Sequence, residues 1–181
     1  MLRLLSAPPC DHGYKIRRVD LKGSPIIMAS AENVVNTQRS TVLSADGVQV
    51  ATIEHALAAL YGCEIDNCLI EIDSFEFPIL EGSSDIYVKN IYSVGVEEQT
   101  KERIYYEVDH DINYSDTETG SYLKLIPADK FSVDVQIEFD SEVLSVQNAF
   151  LDNLSDFKDE ISMCRTFVFI KEIETENPVL L

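Results

Sequence analysis

Apolar and polar positions alternate with a period of two in several short stretches, and two further stretches follow a helical period. Residues 14–21 and 25–29 are rich in β-branched and aromatic side chains and flank Gly23-Ser24, which predicts two short strands joined by a turn. Residues 40–44 and 48–50 flank Ala45-Asp46-Gly47. Asp-Gly between two β-branched runs predicts a hairpin, because the tight turn needs residues that tolerate positive φ. Thr52 is then placed to cap a helix through residues 53–60, with Gly62 as its stop. That helix is apolar on every face apart from Glu54 and His55, so it should be buried.

Residues 68–72 read as a buried strand and residues 78–83 as a turn. Ser84 is positioned to cap a second helix that turns Ile86, Tyr87, Ile91 and Val94 inward. Residues 95–102 are charged and poor in apolar side chains, as at a domain junction. Beyond them the order repeats. Residues 104–108 and 121–125 are strand-like, and in residues 131–139 Val133, Val135 and Ile137 fall on one face. A helix over residues 155–164 would stack Phe157 on Ile161. Strands then helix, twice over, predicts an α+β fold of two similar units, 1–98 and 99–181, each a β-sheet packed against helices.

Composition narrows the choice. The chain has 181 residues, 45% of them hydrophobic, which excludes a wholly disordered chain and allows one large domain or two small ones. With 14 Lys+Arg against 32 Asp+Glu, the formal net charge is −18. Nucleic acid and anionic membrane surfaces would repel such a chain, so no nucleic-acid partner is expected. Cys10, Cys63, Cys68 and Cys164 have no CxxC spacing and read as small buried thiols in a reducing compartment. The longest apolar run, residues 56–63, is far below the roughly 20 residues that span a bilayer. The apolar start is broken at once by Pro8-Pro9, unlike a signal peptide. A soluble cytoplasmic protein, not an integral membrane protein, is the expectation.

Glu54-His55 is the pair that carries chemistry. A carboxylate and an imidazole in an apolar helix are costly unless both are satisfied. One arrangement makes His55 a metal ligand and Glu54 the general base for a metal-bound water. The other is a hydrogen-bonded polar pair near a helix start. Neighbouring helical positions point about 100° apart, so both side chains can serve one ion only near the helix N-terminus. The H-E-x-x-H spacing of many zinc enzymes is absent.

Longer motifs surround that pair: Thr41-Val42-Leu43, Gly47-Val48-Gln49-Val50-Ala51-Thr52-Ile53-Glu54-His55-Ala56-Leu57-Ala58-Ala59-Leu60, Ile65-Asp66-Asn67 and Pro78-Ile79-Leu80-Glu81-Gly82-Ser83. Together they resemble the first domain of UDP-3-O-acyl-N-acetylglucosamine deacetylase. This is the zinc amidase family that commits Gram-negative bacteria to lipid A synthesis. Arg165-Thr166-Phe167 resembles the family's R-T-F segment, so the likeness covers essentially the whole chain. His12-Gly13-Tyr14-Lys15 resembles the Bacteroidetes-like branch, some of whose members are fused to a 3-hydroxyacyl carrier-protein dehydratase.

The resemblance implies a zinc-dependent amide hydrolase that removes the N-acetyl group from UDP-3-O-acyl-N-acetylglucosamine. It makes His55 a zinc ligand and Glu54 the base for the attacking water. Thr166 would support the tetrahedral oxyanion, and Phe167 would lie in the substrate-contacting segment. It also implies two further zinc ligands, a His and an Asp one helical turn apart, and a later acid His. The sequence contains only His12, His55 and His110, and the first and last read as turn or loop residues. Residues 4–10 resemble a mid-domain strand and turn, and residues 171–181 end where the family begins a helix. The expectation is a piece cut at both ends and inactive by itself. The alternatives are a non-catalytic binding protein derived from the family, and a plain domain in which Glu54 and His55 are a satisfied polar pair.

Overall fold

A computed structural model describes residues 1–5, 11–139 and 144–169. Cys10, most of the turn expected through residue 10, and the helix start expected at 171–181 lie outside the described residues. The fold is mixed α+β, as the alternation of patterns predicts. Two compact units are present, Met1–Gln99 with the chain from Phe157 onward, and Thr100–Asp156. Compactness thus groups the residues after Asp156 with the first unit, whereas the strand-then-helix repeat groups them with the second.

The first unit contains strands β1 (Leu2–Leu5), β2 (Tyr14–Arg18), β3 (Ile26–Met28), β4 (Val34–Asn36), β5 (Val42–Ala45) and β6 (Val48–Ala51). Helix α1 (Glu54–Gly62), strand β7 (Cys68–Ile72) and helix α2 (Asp85–Val94) follow. One sheet has the order β1-β7-β2-β3, with β2 parallel to β7 and the other pairs antiparallel. Ile16 lies opposite both Ile70 and Ile27, and all three are fully buried, so alternation puts one apolar face of this sheet into the core. Arg18 continues that face and is itself buried. Its guanidinium donates to both carboxylate oxygens of Asp20 at 2.9 and 2.7 Å and to the Gln49 carbonyl of β6 at 2.6 Å. The Arg18 guanidinium holds the Asp20 carboxyl below the usual range.

The second sheet of this unit is the antiparallel meander β4-β5-β6. The predicted hairpin turn is present, with φ of 50° at Asp46 and 77° at Gly47, and it pairs buried Leu43 with buried Val50. Thr52 does not cap α1. Its φ is 59°, its hydroxyl donates to Glu76 Oε1 at 2.7 Å, and Ile53 occupies the cap position without a side-chain hydrogen bond. Nor does Gly62 stop the helix by adopting positive φ; the left-handed residue is Glu64, at 56°. Gly62 is required by packing instead. A Cβ there would stand 2.1 Å from Phe157 Cδ1 and 2.5 Å from Cγ.

In α2 the buried side chains are Tyr87, Val88 and Ile91, while Ile86 and Val94 are exposed, Val94 at 84%. The buried face thus differs from the expected one, and Ser84 makes bonds other than a side-chain helix cap. Its hydroxyl donates to the His55 carbonyl at 3.0 Å and its amide to the Ser162 carbonyl at 3.0 Å.

The second unit holds two antiparallel pairs, β8 (Ile112–Ser115) with β9 (Tyr122–Leu125), and β10 (Val133–Ile137) with β11 (Gln147–Leu151). Val133, Val135 and Ile137 do share a face, but all three are exposed. Residues 104–108 form no strand. The helix expected over 155–164 is a 3-10 turn, Leu154–Asp156, followed by the single turn α3 (Phe157–Glu160). Ser162 ends it early: its amide returns to the Phe157 carbonyl at 2.8 Å and its hydroxyl to the Lys158 carbonyl at 2.6 Å.

Two outcomes follow. Gly62→Ala should destabilise the chain by about 1–3 kcal/mol in chemical denaturation, and Phe157→Ala in the same chain should shrink that penalty. Burial pushes the Cys68 thiol up to about 11 and also raises Cys63, whereas Cys164 is exposed. Iodoacetamide at pH 8 should therefore modify Cys164 before Cys63 and Cys68, as read by peptide mass spectrometry, because the thiolate is the nucleophile.

Candidate active site

The first two residues of α1 are Glu54 and His55, both half-buried. Glu54 Oε2 accepts the Thr41 backbone N–H at 3.2 Å, which ties the carboxylate to the residue preceding β5. The Thr41 carbonyl in turn accepts the Thr52 N–H at 3.1 Å. His55 is held through its backbone, by Ser84, and its Nδ1 is buried with no hydrogen-bond partner among the described residues. An orphaned buried nitrogen costs free energy, so Nδ1 is a vacant donor or acceptor position at the start of α1.

The loop after Phe77 supplies the second part of the site. Leu80 and Gly82 both adopt positive φ, 53° and 83°, so the chain reverses around Glu81. At Gly82 the demand is conformational; a Cβ would meet Thr166 Cγ2 at 3.4 Å, an ordinary contact. The reversal aims the Gly82 carbonyl at the Thr166 N–H, 2.8 Å away. Two residues later Ser84 reaches the His55 carbonyl. One short loop therefore brings the predicted residues Glu54, His55 and Thr166 into one part of the first unit. Thr166 and Phe167 are exposed, and Phe167 stands edge-on to Phe169 with ring centroids 5.6 Å apart.

Glu81 stands at the crest of the reversal. Its Oε1 accepts the Ser83 hydroxyl at 2.5 Å, and that bond, assisted by the Arg165 charge, keeps the Glu81 carboxyl below the usual range. Ser83 Oγ also accepts the Asp85 N–H at 3.1 Å, so Ser83, not Ser84, satisfies the start of α2. Tyr87 donates to the Pro78 carbonyl at 2.8 Å, and burial pushes its hydroxyl up to about 12. Asn67 Oδ1 accepts the N–H groups of His12 and Gly13 at 2.8 and 3.0 Å, which explains a motif that holds the entry to β2 and touches no chemistry. His110 lies exposed in the second unit, beside Asp109.

A catalytic zinc requires three protein ligands and an open position. Among the described residues no three His, Cys, Asp or Glu side chains converge to hold a metal. His55, with its orphaned Nδ1, fits a single ligand; the described residues do not fit the set.

A family model described as UDP-3-O-acyl N-acetylglycosamine deacetylase matches residues 2–178. The chain belongs to this deacetylase family. The bifunctional enzyme LpxC/FabZ of Porphyromonas gingivalis is 53% identical over 166 residues, covering 92% of this chain and 36% of that protein. The bifunctional enzyme LpxC/FabZ of Bacteroides thetaiotaomicron is 48% identical over the same shares. The UDP-3-O-acyl-N-acetylglucosamine deacetylase of Pseudoalteromonas atlantica is 38% identical over 177 residues, 96% of this chain and 58% of that protein. The chain thus spans about a third of the bifunctional relatives and a little over half of the single-function deacetylase. No helix among the described residues is long and apolar enough to cross a membrane.

The loop bond is directly testable. Ser84→Ala removes the side-chain donor to the His55 carbonyl, which keeps its helical partner, and should cost about 0.5–1.5 kcal/mol, read as a lower denaturant midpoint with unchanged m-value.

Proposed function

We propose that this chain forms the Glu54-His55 side of the active site of a UDP-3-O-acyl-N-acetylglucosamine deacetylase acting in lipid A biosynthesis. The observation that carries it is the Gly82–Ser84 loop, which hydrogen-bonds at once to the Thr166 amide and the His55 carbonyl. A nucleophile's base and an oxyanion donor must converge on one carbonyl to hydrolyse an amide, and this loop ties the two segments that carry them. Zinc is the proposed cofactor, with His55 as one ligand. The other ligands would come from the part of the relatives that this chain does not span.

The roles of the chain's own residues follow from their chemistry. Glu54, an acceptor for the Thr41 N–H through Oε2, takes the proton of the attacking water on its carboxylate. The Thr166 hydroxyl donates to the oxygen that gains charge as the acetamide carbonyl becomes tetrahedral. Phe167, half exposed, offers an apolar surface to the substrate. The same reading makes the fold a two-domain sandwich with boundaries near 98/99, places the protein in the cytoplasm, and allows fusion to a 3-hydroxyacyl carrier-protein dehydratase.

The test uses the complete protein and measures acetate released from the UDP-linked substrate. Glu54→Gln should lower kcat by roughly 10²–10⁴-fold, and His55→Ala should lower zinc content measured by atomic emission. A complete protein that releases no acetate, or whose kcat ignores Glu54→Gln, would overturn the reading.

A further inference from the structure

Two residues before α1 the chain passes through a residue in a conformation unusual for its type. Thr52 is β-branched, buried and at a φ of 59°, a region that such residues rarely enter. Strain of this kind persists only where neighbouring bonds over-determine it, and here those bonds can be named. The Thr52 hydroxyl donates to Glu76 Oε1 at 2.7 Å. Its amide donates to the Thr41 carbonyl at 3.1 Å. Just before it, the Ala51 N–H donates to the Phe75 carbonyl at 2.9 Å, and the Phe77 N–H donates to the Ala51 carbonyl at 3.0 Å, so Ala51 and Glu76 form a parallel bridge.

These bonds close a ring around Thr41. The Thr41 carbonyl receives Thr52, two residues before Glu54, and the Thr41 N–H donates to Glu54 Oε2 at 3.2 Å. The residue whose N–H orients the carboxylate is thus also held, through its carbonyl, by the strained Thr52 two residues before α1. An ordinary cap would leave the Thr52 hydroxyl in α1 and free the chain to leave β6 in an extended direction. Spending the hydroxyl on Glu76 instead fixes the turn that carries Glu54 back over Thr41.

We propose that Thr52 and Glu76 form a positioning pair for Glu54, holding the strained turn that aims its carboxylate. This rests on Glu54 being the base of the proposed deacetylase, but the positioning itself has a readout independent of activity. The amide exchange of Thr41 reports whether the Glu54 bond is formed, since that N–H has the carboxylate as its acceptor.

The experiment compares Thr52→Val and Glu76→Leu, which remove the hydroxyl-to-carboxylate bond, with Thr52→Ser and Glu76→Gln, which keep a donor and an acceptor. Amide exchange by NMR is measured on this full chain, and kcat and KM on the complete protein. In the first two variants Thr41 exchange should quicken about tenfold or more, and kcat should fall roughly ten- to a hundred-fold with KM changed less than about twofold. The conservative pair should restore most of both values. Unchanged Thr41 exchange in Thr52→Val and Glu76→Leu overturns the proposal, as does a Ser or Gln variant that fails as badly as Val or Leu. If one of the apolar variants does not fold, the other carries the comparison. A complete protein without deacetylase activity refutes the function while the exchange result still decides the positioning.

Discussion

The bonds made by Gly82 and Ser84 are the constraint on which the first unit's site depends. They join three segments far apart in sequence, the start of α1, the start of α2 and the chain after Phe157. None of the bonds is strong alone; a neutral hydrogen bond contributes about 1 kcal/mol net. Their effect lies in placement. Two positive-φ residues, Leu80 and Gly82, set the direction in which the carbonyl of Gly82 and the hydroxyl of Ser84 point. Buried apolar contacts hold the surrounding frame, with Phe77 entering the core on one side of the loop and Tyr87 on the other.

The same arrangement explains why α3 is short. Ser162 is buried, and its amide and hydroxyl both return to carbonyls of the single turn before it, while its carbonyl accepts Ser84. The helix ends at Glu160, and the Ser162 carbonyl beyond it accepts the Ser84 amide of the loop. The close approach of Phe157 to Gly62 then seats this segment against the end of α1.

Much of the fold was legible because its signals are local. Asp46-Gly47 specifies its own hairpin through the φ values it tolerates, and the alternation in residues 68–72 specifies a strand with three buried positions. Glu54-His55 was legible by chemistry, as two polar groups in an apolar helix. What failed to show were features set by distant partners. Thr52 looks like a cap until Glu76, 24 residues on, takes its hydroxyl. Gly62 looks like a helix stop until Phe157 is found against it. Ile86 and Val94 fit an inward stripe by spacing, yet both are exposed and Val88 is buried beside Tyr87 and Ile91. The orphaned Nδ1 of His55 and the Thr41 bond to Glu54 leave no mark in the sequence at all.

The strand order β1-β7-β2-β3 has a consequence for how the chain acquires its shape. The strand that lies between β1 and β2 is the last of the four in sequence, so neither neighbour can pair with it until residue 72 has been made. Before then this sheet has only the β2–β3 hairpin, and two strands alone are marginal in water. Ile16 and Ile27 must wait uncovered while the β4-β5-β6 meander and α1 are synthesised. High contact order of this kind slows folding, because a long loop closes before any pairing rewards it. During translation the first unit is therefore expected to mature late and all at once, with the local Asp46-Gly47 hairpin as one early foothold.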